Sequence, residues 1–148
     1  MIELSELRIG NLVKDEGSHL LKVNSLISDS EEGASLIATY VHSEGSVILE
    51  PKNIFGIRLA EAWLMKLGFK KERTNDYSWK LFPSFAVQII AEIHDGILLV
   101  SFWTRTIHND FTPIFPEKPF EYVHQIQNLS FALSGVELVG ITELRELL

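Results

Sequence analysis

Four side chains on predicted strands have the chemistry to bind a planar ligand or a protein surface. They are Tyr77, Trp79, Gln88 and Trp103. Asp95-Gly96 lies between two apolar runs and predicts a type I′ turn, because both central positions of that turn need positive φ. His94 then pairs with Ile97, and with Pro83-Ser84 as a second two-residue turn the four side chains share one face. Rings that flank an amide can stack a base or form the centre of an interface.

Three interpretations of this face stay open: packing under the N-terminal part of the chain, a dimer contact, or a ligand or nucleic-acid site. The opposite face of the same strands is predicted to be fully apolar, with Phe85, Val87, Ile89, Ala91, Ile93, Leu98, Val100 and Phe102. An apolar face must be covered, and a sheet with two apolar faces needs two covering layers. The exposure of the aromatic face therefore decides between the three interpretations.

A second polar set lies within a predicted helix at Phe120–Ser134. It consists of His124, Gln127 and Asn128. The apolar residues of this stretch recur at helical spacing, and Gly135 follows as a stop signal. His124 and Asn128 are four residues apart, so they lie on one helix face. The set either binds a ligand or partner, or satisfies backbone groups of the loop 105–118 or of the N-terminal unit.

Nucleic-acid binding would need a local basic patch, because the chain carries a formal charge of −7 and phosphate neutralisation supplies most of that affinity. The candidate patch is Lys66, Lys70, Lys71 and Arg73, with Lys80 nearby. The alternative is that these cations gather at the C-terminal end of a predicted helix at 59–68, where the helix dipole favours them. Nucleic acid is therefore the less favoured partner, and it is not excluded.

Signatures of catalysis and of cofactor binding are missing from the sequence. There is no cysteine, which excludes disulfides, thiolate metal sites and cysteine nucleophiles. The five histidines have no metal-ligand spacing, and neither a nucleophile elbow nor a phosphate-binding loop occurs. We therefore expect no catalytic residue, no metal and no cofactor. An enzyme of unrecognised type that uses His108 and Asp110 is kept as an alternative.

The elements that would position these residues predict an α+β fold. Residues 1–58 are predicted to form an SH3-like unit of short strands with tight turns. Residues 59–148 are predicted to form a helix, a three-stranded antiparallel meander and a second helix; Pro113, Pro116 and Pro119 predict a loop at 105–118. The tail 136–148 is predicted to add a last strand and a short helix. We expect both units to pack as one compact chain, since so small a β unit buries little surface alone.

Signals for membranes and for secretion are also missing from the sequence. No apolar run approaches the roughly 18 residues that cross a bilayer. The first residues are acidic and lack the apolar core of a signal peptide. We therefore expect a cytoplasmic protein with no membrane partner.

Three stretches of the chain are specific enough to compare with known families: Glu6–Val13, Ile57–Phe69 and Tyr122–Leu138. Together they resemble a family of small uncharacterised proteins common in bacterial and prophage genomes. Its most specific parts are the Glu-Leu-Arg-Ile-Gly-Asn opening and the Tyr-x-His-Gln-x-Gln-Asn-Leu helix. The resemblance implies a cytoplasmic bacterial or phage protein. It supplies no catalytic residue, because the family has no assigned activity.

These observations favour a non-enzymatic binding or scaffolding protein. We expect it to self-associate or to bind a protein partner through the face that carries Tyr77, Trp79, Gln88 and Trp103. A nucleic-acid-binding protein that uses Lys66, Lys70, Lys71 and Arg73 is the first alternative. An enzyme of unrecognised type is the second.

Overall fold

The computed structural model describes residues 2–29 and 33–138. In this part of the chain, two antiparallel sheets of four and five strands dominate, and a single helix, Val123–Ser134, is longer than two turns. The predicted α+β class, with an SH3-like unit, a helix, a three-stranded meander and a helix, is therefore wrong, because the chain is mostly β. None of the described helices is long and apolar enough to cross a membrane.

The chain divides into two compact units. Among the described residues, the first unit consists of 2–29, 33–58 and 122–128, and the second of 59–121 and 129–138. The predicted strand and helix of the tail 136–148 lie, from residue 139 onward, outside the described residues.

The first unit is built on a four-stranded antiparallel sheet. Its strands, paired in chain order, are β1 Leu12–Lys14, β2 Leu20–Asp29, β3 Gly33–Tyr40 and β4 Ser46–Leu49. Apolar residues alternate along the strands, so one face is buried; it includes Val13, Leu21, Val23, Leu36 and Ala38. Residues 54–57 add to this unit one pair of backbone hydrogen bonds, of 2.8 and 2.9 Å, between Phe55 and Lys14.

The second unit contains a short helix and a five-stranded antiparallel sheet. In chain order its elements are α1 Glu61–Lys66, β5 Lys70–Lys71, β6 Ser78–Ser84, β7 Val87–His94, β8 Ile97–Arg105 and β9 Phe111–Pro119, and neighbouring strands pair. The helix α2, Val123–Ser134, follows and contributes residues to both units. It ends at Gly135 as predicted, where a φ of 71° lets the glycine N–H bond to the Phe131 carbonyl at 2.7 Å.

The hairpin between β7 and β8 has the predicted two-residue turn. Asp95 and Gly96 both have positive φ, 50° and 80°, and His94 pairs with Ile97. Alternate side chains of β7 and β8 therefore lie on opposite faces of the sheet, as expected. The buried face includes Val87, Ile89, Ala91, Val100 and Phe102. The predicted apolar face is therefore confirmed for these five residues. It is wrong for Phe85, which lies in the turn before β7 and is 76% exposed.

The turn between β6 and β7 differs from the prediction. It is Phe85-Ala86 and not Pro83-Ser84. An irregularity late in β6 shifts the register, so that Trp79 pairs with Ala91 and does not lie beside Gln88. Because side chains alternate along a strand, a shift by an odd number of residues moves each of them to the other face.

The predicted loop at 105–118 is also wrong, because residues 111–119 form the strand β9. Pro113 lies opposite Trp103, and Pro119 lies opposite Leu99. Proline excludes a helix but is tolerated on an edge strand, where its missing N–H need not join the ladder. β9 is such an edge, and two irregularities interrupt its register with β8.

Candidate functional site

The four residues of the predicted aromatic face do not form one surface. Trp79 is 1% exposed and lies on the buried face with Ala91. Gln88 and Trp103 pair on the opposite face, where the amide is buried and the Trp103 Nε1 donates to Ser101 Oγ at 3.0 Å. Tyr77 precedes β6 and is exposed. The prediction that Tyr77, Trp79, Gln88 and Trp103 share one face is therefore wrong, and the register of β6 is the reason.

The two amides of the helical polar set bond to backbone groups of the N-terminal segment. Gln127 is fully buried, and its Oε1 accepts a hydrogen bond from the Leu12 N–H at 3.0 Å. Asn128 donates from Nδ2 to the Glu6 carbonyl at 2.7 Å. Leu12 needs this acceptor because a buried backbone N–H without a partner is costly. These contacts agree with the structural interpretation of the set.

His124 is a fully buried imidazole in the first unit. Its ring stacks on Tyr122, with centroids 5.6 Å apart and planes at 15°. Nε2 lies 3.6 Å from Glu6 Oε2, and neither ring nitrogen hydrogen-bonds to any of the described residues. Burial lowers the pKa of His124 below its ordinary value of 6.5, and the nearby Glu6 carboxylate opposes that shift. A buried, neutral imidazole packed in this way is suited to a structural role.

Three members of the predicted basic patch lie at the surface of the second unit. Lys66 Nζ is 4.9 Å from the centroid of the Trp63 ring, so its ammonium group makes a cation–π contact with that ring. Lys70 and Arg73 are exposed. Lys70 belongs to the short strand β5, and Arg73 follows that strand by two residues.

Carboxylates pair with the remaining cations of this region. Lys71 Nζ lies 3.7 Å from Glu61 Oε1 and 3.9 Å from Asp76 Oδ1. Lys80 pairs with Glu72, and its hydrogen bond lowers the pKa of that carboxyl group. These pairs remove part of the positive charge that phosphate binding requires.

The two residues considered for an unrecognised enzyme lie in the turn between β8 and β9. His108 and Asp110 are both exposed. Within the described part of the chain, no group of three or more His, Asp or Glu side chains is arranged to hold a metal ion. An open cleft of about 450 Å³ lies elsewhere in this unit, beside Tyr77 and the turn Asp95-Gly96.

A cluster of exposed rings around an arginine is the feature that sequence reasoning missed. We call it the aromatic patch; its members are Phe82, Phe85, Arg105 and Phe111. Phe85 is 76% exposed and Phe82 is 54% exposed. Arg105 ends β8 and Phe111 begins β9, and the two pair directly across the strands. Ile107, which is 94% exposed, lies in the turn between them.

Contacts within the aromatic patch hold the guanidinium in place. Arg105 Cζ lies 3.9 Å from the centroid of the Phe85 ring and 4.9 Å from that of Phe111. Its Nε donates to the Phe85 carbonyl at 3.0 Å, and its backbone N–H donates to the Ala86 carbonyl at 2.8 Å. Phe82 meets Phe111 edge to face at 5.9 Å. The arginine and the rings therefore form a defined surface.

A local signal for this patch is present in the sequence. His108-Asn109-Asp110 marks a turn, and Asn109 has a φ of 67°. A hairpin around that turn would place Arg105 opposite Phe111, as observed. The three prolines that follow obscured the strand, because they are better known for ending regular structure than for joining an edge.

Comparisons with family models, with curated proteins and with solved structures find no match to this chain. The resemblance to uncharacterised prophage proteins therefore stays a prediction. The chemistry of the described residues is left to indicate function, and its most unusual feature is the exposed aromatic patch.

Proposed function

We propose that this chain is a non-enzymatic binding protein of bacterial or prophage origin that contacts a protein partner through its aromatic patch. The supporting observation is the exposure of Phe82 and Phe85 beside Arg105 at the turn ends of β6, β7 and β8. Burying a phenylalanine side chain is worth about 1.5–3 kcal/mol. Phenylalanine and arginine are enriched at protein interfaces, and arginine is frequent among the residues that dominate binding energy.

The patch is also ordered before binding. Arg105 is bonded through its Nε and its backbone N–H to the β6–β7 turn and contacts two rings. Immobilising a flexible side chain at an interface costs about 0.5–1.5 kcal/mol. An arginine that is already held avoids part of that cost, which favours a specific contact.

A protein partner fits this chemistry better than a nucleic acid does. Proteins that stack bases combine aromatic rings with several cations along the phosphate backbone. The aromatic patch contains one cation, Arg105, on a chain of net charge −7. In the basic patch near β5, Lys71 lies beside the carboxylates of Glu61 and Asp76. Lys80 pairs with Glu72.

Photo-crosslinking in the native host tests this proposal. The photoreactive analogue p-benzoylphenylalanine replaces Phe85 or, as a control, the exposed Ile48 of β4. We expect a discrete protein adduct at position 85 and none at position 48. The partner identified in this way, once purified, should bind wild type at least tenfold more tightly than Phe85→Ala.

Two results would contradict the proposal. One is adduct formation at position 85 that is no stronger than at position 48. The other is a purified partner that binds Phe85→Ala as tightly as wild type. Near-ultraviolet circular dichroism of each variant controls for a change in fold.

A further inference from the structure

We infer that the aromatic patch recognises a carboxylate next to an apolar side chain in its partner, with the carboxylate seated on Arg105. This inference rests on the proposed protein-binding function and adds the chemistry of the partner segment. It concerns an Asp or Glu side chain within a protein, flanked by a residue that covers the exposed rings.

The guanidinium of Arg105 has donors to spare. An arginine side chain carries five N–H donors in a planar fork. Nε is used by the Phe85 carbonyl, and the Phe85 and Phe111 rings lie against Cζ. No carboxylate whose side chain the structure describes lies within 4.0 Å of the Arg105 nitrogens. The two terminal nitrogens thus present the edge that binds a carboxylate through two parallel hydrogen bonds.

Apolar surface surrounds this edge and sets the second requirement. Phe82, Phe85 and Ile107 are all more than half exposed. A free carboxylate or a highly charged segment would leave these side chains in water. A segment that places an apolar side chain beside its carboxylate would cover them and would shield the ion pair from water, which strengthens it.

Charge also argues against two other binding partners at the aromatic patch, a second copy of this chain and a nucleic acid. A second copy docked face to face would bring another Arg105 to the centre of the contact, and like charges facing each other across an interface are costly. Each copy also carries a net charge of −7, which opposes association. A nucleic-acid backbone needs several cations in a row, whereas the aromatic patch supplies one.

Selection from a displayed library of random dodecapeptides on the immobilised full chain tests the inference. We expect the enriched peptides to carry Asp or Glu within two positions of an apolar residue. Replacing that acidic residue by its amide should weaken binding at least tenfold. Arg105→Gln should weaken it to a similar extent, and Arg105→Lys should weaken it less but measurably, because lysine keeps the charge and loses the fork.

Lys70→Gln is the matched control, because it removes an exposed cation of the same unit outside the aromatic patch. It should leave peptide binding within twofold of wild type. Peptides that need Phe85 but lack an acidic residue, or that bind Arg105→Gln normally, would overturn this inference and leave the proposed function standing. Peptides that ignore Phe85→Ala as well would count against both. If nothing is enriched, this inference fails, while the photo-crosslinking result decides the proposed function separately.

Discussion

Proteins usually bury apolar side chains and expose polar ones. Two regions of this molecule depart from that pattern in opposite ways. In the first unit, a polar cluster of Glu6, His124, Gln127 and Asn128 places two fully buried side chains, those of His124 and Gln127, in the interior. In the second unit, the aromatic patch leaves phenylalanine rings in water. Buried polar groups and exposed apolar groups are the informative exceptions to the rule that apolar residues lie inside.

The contacts that each region makes within the chain indicate whether the region serves the fold or the binding of a partner. Gln127 and Asn128 bond to the backbone at Leu12 and Glu6, so the polar cluster has an intramolecular purpose. The Phe85 ring contacts Arg105, and most of its surface remains in water. A polar group that is used inside the fold predicts a loss of stability on substitution. A ring that is left outside predicts a loss of binding.

The largest expected effect compares two aromatic residues of the second unit. Trp79→Ala should lower the free energy of unfolding by about 3–5 kcal/mol, because it empties a buried site. Phe85→Ala should lower it by less than about 1 kcal/mol, because only an exposed cation–π contact is lost. Urea denaturation of both variants measures the difference. Equal losses would show that Phe85 is a structural residue and would break the comparison.

A smaller loss is expected in the polar cluster. Gln127→Leu removes the acceptor of the buried Leu12 N–H and should lower the free energy of unfolding by about 1–3 kcal/mol. Ser43→Leu, at an exposed turn position of the same unit, should change it by less than about 0.5 kcal/mol. Urea denaturation at neutral pH provides both values. Unchanged stability of Gln127→Leu would mean that the amide is not needed by the fold.

The smallest expected effect is a pH dependence from His124. Its pKa in the folded chain lies below 6.5, so the unfolded chain binds the proton more readily. The stability that comes from the neutral imidazole is present above pH 6.5 and is lost as the pH falls through the folded pKa. His124→Gln should therefore flatten the decline in stability below pH 6.5, whereas His42→Gln, at an exposed position, should not. A decline that is the same in both variants would rule out this role.

Local turn chemistry accounts for the parts of the fold that could be predicted. Asp95-Gly96 adopts positive φ at both positions, and the β7–β8 register follows from it. Gly135 ends α2 for the same kind of reason. These features depend on a few neighbouring residues, so the sequence contains the information they need.

The wrong predictions concern the turn and the register of β6, which depend on how whole strands pair. Pro83-Ser84 looks like a turn, yet β6 continues through it to the turn Phe85-Ala86. The irregularity late in β6 then shifts the register by one residue and places Trp79 on the buried face, while Phe85, as a turn residue, is exposed. Pairing energy summed over the neighbouring strand outweighs the preference of one dipeptide, and a slip of one residue exchanges the two faces.

The sequence by itself determined the alternation of apolar residues, the tight hairpin at Asp95-Gly96 and the end of α2. Only the tertiary structure decided that β9 joins the sheet despite its prolines, and that Arg105 also meets Phe85 of the β6–β7 turn. The physical reason is how far apart in the sequence the deciding residues lie. A turn is governed by the φ preferences of adjacent residues, whereas a surface built from three strand ends depends on the register of every strand between them.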